Sequence, residues 1–289
     1  MARAIEFETL GQPRIAGAGT LRGVARAVRK NPVGAAAGLF CLLLVVLAIF
    51  GPSVAPYSAN DVGFELLAPP SLEHPFGTDN LFRDMFSRII FGARNSLGIA
   101  FSAIFVSTVL GVTLGVTSGY FGGKLDLIVS RFIDVMLAYP ALVFIIFLVT
   151  VFGAKFTTIA LAIGLILTPQ ATRVVRGATI GVRHLQYIES ATAIGASHFR
   201  IMYRHILPNV AAPIIVIASV NIGIAILIEA AISFLGLGVS SASNPSWGRM
   251  LQETRPAWQQ AWWTMVVPGA AISMAVLAFN IFGDALRDW

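Results

Sequence analysis

Long apolar runs separated by short polar stretches dominate this chain. They lie at about Gly34 to Val54, Ser96 to Gly119, Phe132 to Phe152, Phe156 to Thr172, Val210 to Val239 and Trp263 to Phe282. A helix needs roughly 20 predominantly apolar residues to cross a bilayer, so the pattern predicts six transmembrane helices. The fourth run is the weakest, because its apolar part is short and Pro169 interrupts its end. Residues 1–33 read as a polar leader, and 55–95 as a polar segment rich in Pro, Gly and acidic side chains. The leader is too long for a signal-peptide n-region and the first apolar run too long for an h-region, which predicts an uncleaved anchor.

Composition sharpens the class. With 56% hydrophobic and 12% charged residues, against about 25% charge in soluble domains, the expected fold is an all-α integral membrane protein. Lys and Arg then predict its orientation by the positive-inside rule. Alternate sides carry 14 and 6 of the 20 basic residues. The richer side holds the leader, Lys124, Arg131, the five arginines between 173 and 204, and Arg287. Both termini and the loop around Glu189 are therefore expected in the cytoplasm, and the net charge of +6 requires no nucleic acid.

That loop, Leu185 to Asn209, is the polar interruption around which the rest is arranged. Small residues at Ser190, Ala191, Ala193 and Ala196 permit close approach of another surface. Gly195 suits a left-handed helix end, and Ser197 suits the N-cap of a second helix. Phe199, Met202, Tyr203 and Ile206 then recur at helical spacing, with Arg200 and Arg204 elsewhere on the circumference. One apolar face and one cationic flank fit a protein partner; an amphipathic helix lying on anionic headgroups fits the same pattern.

The order Glu189-Ser190-Ala191, Gly195, Ile206-Leu207-Pro208 resembles the EAA loop of ATP-binding-cassette importer permeases, with Ser190 where the family usually has Ala. A second resemblance runs from His74 through Pro75-Phe76-Gly77-Thr78-Asp79 and Arg83-Asp84 to Ser87-Arg88 and Gly92-Ala93-Arg94. It is similar to the signature of the C-type permeases of dipeptide, oligopeptide and nickel importers, with Phe82 replacing the usual Gly. Ser233 to Val239, Pro245 to Leu251 and Ala278 to Asp288 extend this likeness over most of the chain from about residue 30. The family usually continues beyond the position of Trp289 with Leu-Asp-Pro and basic residues, so the tail here reads as trimmed or shorter.

The resemblance implies a type I importer permease fold: a first helix at 34–54, an extracytoplasmic segment at 55–95, and a five-helix core at 96–289. It implies that Glu189, Ser190, Ala191, Gly195, Ala196, Ser197, Ile206, Leu207 and Pro208 couple the chain to an ATPase. The implied partners are a second, B-type permease, two ATPase subunits or domains, and an extracytoplasmic solute-binding protein. The implied cargo is a di- or oligopeptide, with nickel or another small solute as the alternative. The implied location is a prokaryotic plasma membrane. ATP and Mg would be bound by the ATPases, with no cofactor or metal in this chain.

Other features weigh against different functions. Gly119 to Lys124 lacks the spacing of a phosphate loop and reads as a tight turn between helices. Gly111, Gly115 and Gly119 form a small-residue face for close helix packing. A lone Cys41 excludes an intramolecular disulfide, and the four histidines are dispersed. Ser197 and His198 are adjacent, a placement that does not give a nucleophile and base their geometry. A secondary transporter would want several intramembrane ionisable groups.

Here Glu229 is the one carboxylate well inside an apolar run. Two roles suit it: lining the translocation path, or packing against hydroxyls of a neighbouring helix. Asp134 is expected to pair with Arg131 at the interface. Thr78 or Asp79 is expected to cap a short external helix faced by Leu81, Met85 and Ile89. Trp247, Trp258, Trp262 and Trp263 are expected at the outer membrane interface.

Overall fold

In a computed structural model of the full chain, residues 31–239 and 245–288 are described; most of the leader, residues 1–30, lies outside them. Every regular element among these residues is helical. Helix α1 covers Pro32–Val54, α2 Met85–Phe121, α3 Gly123–Ala138, α4 Ala141–Phe152 and α5 Phe156–Val182. A short α6, Gln186–Ala193, and a single turn α7, His198–Arg200, precede a π-helical turn at Ile201–Ile206 and a 3-10 turn at Leu207–Val210. Then come α8, Ala211–Phe234, α9, Trp247–Thr254, and α10, Trp263–Asp288. Five helical segments are long and apolar enough to cross a membrane, and the bent α3–α4 pair makes a sixth.

The second span starts earlier than the sequence reading had it, at Met85 and not Ser96, and the third and fourth differ in shape and length. The third is not straight: α3 and α4 meet at 86°. Tyr139 is extended (φ −86°, ψ 135°) because it precedes Pro140, whose ring disfavours the helical region for its neighbour. The fourth is longer than its apolar run, since Pro169 lies inside an unbroken α5. Thr168 and Thr172 donate to the Gly164 and Thr168 carbonyls around it, both at 2.8 Å; hydroxyls and neighbouring helices let spanning helices carry proline.

Close packing of α2 on α5 is the backbone of the fold. Added Cβ atoms at Gly111, Gly115 and Gly119 would meet Ala171, Val175 and Thr179 at 2.6, 2.8 and 2.8 Å, so the predicted small-residue face is the contact face. Gly122 and Gly123, with φ +65° and +55°, then turn the chain directly into α3, as the sequence suggested. Among the residues of α3 only Ile133 is buried. Two ion pairs tie it to α5: Arg176 chelates Asp126 with both ends of its guanidinium, and Arg173 meets Asp134 at 2.8 Å. Asp134 thus pairs across helices with Arg173, not with its near neighbour Arg131.

The apolar core has two parts. The larger joins α2, α4, α5, α8, α9 and α10 through Leu97, Ile145, Ile163, Ile226, Trp247 and Phe279, among others. The smaller lies under the 185–209 loop and is made of Val116, Val175, Ile188, Ala191, Ile201, Ile206 and Val210.

Candidate functional site

The loop is a helix-turn-helix whose geometry follows from its residues. Helix α6 carries Glu189 in its first turn, where a carboxylate complements the helix dipole. Its inner side is Ile188 and Ala191, both buried, while Glu189 and Ser190 face outward. The Ser190 hydroxyl donates back to the Gln186 carbonyl at 2.8 Å. Gly195 ends the helix with φ +79°; its N–H donates to the Thr192 carbonyl and that of Ala196 to the Ala191 carbonyl, both at 3.0 Å. This is a Schellman closure, which a left-handed glycine makes without strain. Ser197 then caps the next turn by accepting from the Arg200 N–H at 3.4 Å.

Ile201, Ile206 and Val210 point inward against Val116 and Val175, so the small core fastens the loop to the spanning helices. His198 adds a lateral tie, its Nδ1 lying 2.8 Å from the Tyr120 hydroxyl. The expected single apolar face is divided. Ile206 is fully buried and Met202 half-buried, whereas Phe199 and Tyr203 are 73% and 66% exposed and stack with parallel rings 5.9 Å apart. The π turn divides the stripe, because its wider winding breaks the 3.6-residue register on which the sequence reading rested. Beside the loop an open cleft of about 620 Å³ is lined by Tyr120, Arg183, Ile188, Glu189 and Thr192, among others. Leu207 and Pro208 form the 3-10 turn that leads into α8.

Glu229 lies far from this loop in sequence and is 1% exposed. The Ser233 hydroxyl, one turn on, donates to Oε1 at 2.7 Å. Hydroxyls of Ser96 on α2 and Ser246 at the cap of α9 also approach the carboxylate, and Oε2 has no hydrogen-bond partner among the described residues. The side chain is enclosed by this chain's own helices.

The segment before α2 holds what sequence reasoning missed. Asp84, not Thr78 or Asp79, caps α2, accepting from the Ser87 N–H at 2.7 Å, and its other oxygen meets His74 Nδ1 at 2.9 Å. Asp79 instead binds the Leu81 and Arg83 N–H groups. Arg83 and Arg88 converge on Glu253 of α9 at 2.7 and 2.8 Å, Arg83 also meets Asp79 at 2.8 Å, and Arg249 reaches the other Glu253 oxygen at 2.8 Å. Burial raises the Glu253 pKa, but Arg88, Arg249 and Arg83 outweigh it and hold the carboxyl below the usual range. The i,i+4 spacings of Asp79 with Arg83 and of Arg249 with Glu253 were sequence signals for this cluster.

Two of the four tryptophans also depart from expectation. Trp247 and Trp263 are buried, and their indole N–H groups donate to the Ile89 and Thr78 carbonyls at 3.0 and 3.3 Å. Among the described tryptophans, Trp258 and Trp262 are exposed.

Residues 111–289, which include the loop, match the family model for the binding-protein-dependent transport system inner membrane component. This chain belongs to that family. The permease is thus a multi-pass inner-membrane protein and not a catalytic subunit. Residues 20–70 of the permease match a second model, the N-terminal transmembrane domain of oligopeptide transport permease C. It is 40% identical over 262 residues to the dipeptide transport system permease protein of Alkalihalophilus pseudofirmus, covering 90% of this chain and 86% of that one. It is 40% identical over 261 residues to a glutathione transport system permease protein of Pectobacterium atrosepticum, with the same coverage.

The permease also resembles solved transporter chains in fold. One is from the inward-facing MetNI methionine ABC transporter (TM-score 0.56, 16% identity, covering 71% of this chain and 96% of that one). Another is from an amino acid ABC transporter with histidines (TM-score 0.53, 17% identity, 70% and 93%). The type I importer architecture expected from the sequence is therefore the observed one.

Proposed function

We propose that this permease is one of two different transmembrane subunits of an ATP-driven importer for short peptides. The peptide class rests on the dipeptide and glutathione relatives; nickel belongs to the wider resemblance but has no ligand cluster to support it among the described residues. In this reading both termini and the 185–209 loop are cytoplasmic, two ATPase subunits bind ATP and Mg, and an extracytoplasmic binding protein delivers the peptide.

The observation that carries the coupling role is the build of the loop. Glu189, Ser190, Gly195 and Ser197 form a solvent-facing surface, while Ala191 and Ile206 anchor it to the core beneath, with Ala196 packed against that core and Leu207-Pro208 turning into α8. A rigid-body displacement of an ATPase docked there would pass into α2, α5 and α8 through Val116, Val175 and Val210, not be absorbed by a soft hinge. The chain itself makes and breaks no covalent bond.

The test is ATPase activity of the co-purified complex in lipid, with and without peptide-loaded binding protein. Glu189→Lys combined with Gly195→Arg is expected to reduce the stimulated rate to the basal rate while the complex still assembles. Undiminished stimulation would refute the coupling role, and transport by this chain without any ATPase would refute the importer reading.

Glu229 is assigned to packing, supported by its enclosure and its Ser233 bond. Glu229→Gln is expected to lower the yield of folded complex and leave the KM for peptide unchanged; an altered KM would place Glu229 in the path instead.

A further inference from the structure

Between the cytoplasmic end of α2 and the segment after α7 runs a groove of about 270 Å³, lined by Val112, Thr113, Val116, Phe199, Tyr203 and Leu207, among others. Its Val112, Thr113, Val116 and Thr117 belong to a helix long and apolar enough to span a membrane, and its Phe199, Met202, Tyr203 and Leu207 to the loop. The two threonines of the lining are satisfied: Thr113 and Thr117 donate within α2, to the Val109 and Thr113 carbonyls at 2.7 and 2.6 Å. Apolar walls of this kind suit a hydrocarbon chain.

The residues next in sequence to its loop wall carry the opposite character. Arg200 and Arg204 alternate with Phe199 and Tyr203 along the same stretch, are both exposed, and have no ion-pair partner among the described residues. Glu189 is the sole carboxylate between residues 185 and 209, and it sits on α6, across the Gly195 turn. Two cations without an ion-pair partner, next in sequence to the groove-lining Phe199 and Tyr203, match a ligand with an anionic head and an acyl tail. Basic pockets between helices on the cytoplasmic side are a physical setting for such headgroups. The chain's own leader does not fit, because its six basic residues would add to the same charge.

We infer that this groove binds one acyl chain of an anionic phospholipid, with its phosphate held by Arg200 and Arg204. The stacked Phe199 and Tyr203 rings form the outer wall at headgroup level, where amphipathic aromatic rings are stable. The lipid would thereby wedge the segment that joins the loop to α8. The inference is independent of what the importer carries.

The full complex would be reconstituted in vesicles of phosphatidylcholine mixed with phosphatidylglycerol, and retained lipids identified by native mass spectrometry. Wild type is expected to retain phosphatidylglycerol selectively. Arg200→Gln with Arg204→Gln should weaken that retention roughly twentyfold, and Arg200→Lys with Arg204→Lys should restore most of it. Thr113→Trp, which fills the slot at an exposed position and leaves the arginines intact, should also release the lipid. Equal retention of phosphatidylcholine, or retention untouched by both the glutamine pair and Thr113→Trp, overturns the inference. So does an efficient disulfide between cysteines placed at Thr113 and on the second permease, because the groove would then be a protein interface.

Discussion

Replacing Gly115 with leucine is expected to remove the permease from the membrane as an assembled, monodisperse protein. A Cβ at this position alone would lie 2.8 Å from the Val175 side chain, 2.9 Å from the Thr172 carbonyl and 3.0 Å from the Arg176 nitrogen. Two of those three neighbours are backbone, which has no rotamer to yield. Helices in lipid associate through close van der Waals contact and not through the hydrophobic effect, so separating α2 from α5 forfeits the contact that organises the fold. Overpacking in a soluble core costs about 1–3 kcal/mol; here the obstruction is a helix axis, and the loss should exceed that range. Gly177→Ala on α5 is the matched control, because nothing lies within 4 Å of its added Cβ. Size-exclusion chromatography of fluorescent fusions distinguishes the two: a collapsed main peak for Gly115→Leu and an unchanged one for Gly177→Ala. A normal peak for both would mean that α2 and α5 are not this close.

The second large effect is expected at Glu253. Its side chain is 14% exposed and receives Arg83 and Arg88, themselves 8% and 2% exposed, as well as Arg249. Glu253→Ala leaves these cations facing one another with Asp79 as their remaining carboxylate in the cluster. Removing one member of a buried ion pair typically costs about 3–5 kcal/mol, since the partner stays desolvated. At roughly 2–4 °C per kcal/mol for a domain of this size, the melting temperature of the solubilised complex should fall by about 10 °C. Because folding holds the Glu253 carboxyl below its ordinary range, the contribution is complete above the unfolded value of about 4.3. It is lost as pH falls through the lower folded value, so the gap between wild type and Glu253→Gln should narrow only in that acidic window. A gap that narrowed near neutrality would point to a different titrating group.

Much of this arrangement is legible in the sequence because a bilayer imposes a simple code. Run length located the spans, Gly at every fourth position marked a close-packing face on α2 without naming α5 as its partner, and Gly195 and Ser197 marked the two caps of the loop. What escaped was set by partners distant along the chain. Pro140 was visible, but not the 86° bend nor the pairing of Asp134 and Asp126 with Arg173 and Arg176 of α5. Trp247 and Trp263 have the side chain of an interfacial anchor, yet carbonyls of Ile89 and Thr78 satisfy their indoles inside the protein. The aromatic stripe of the loop was divided by a π turn that no periodicity announces.

The Glu253 cluster joins residues more than 160 positions apart, and this separation sets an order of events during synthesis. Arg83 and Arg88 emerge and reach the bilayer surface while α9 has yet to be translated. Until Glu253 is delivered to the same side, Arg88 lies at the start of an apolar helix with Asp79 as its nearest counter-ion. The cluster therefore closes only when the final third of the chain arrives. Its closure reports that the helices between have all crossed, because a single missed crossing would leave Glu253 on the opposite face of the membrane from Arg83 and Arg88.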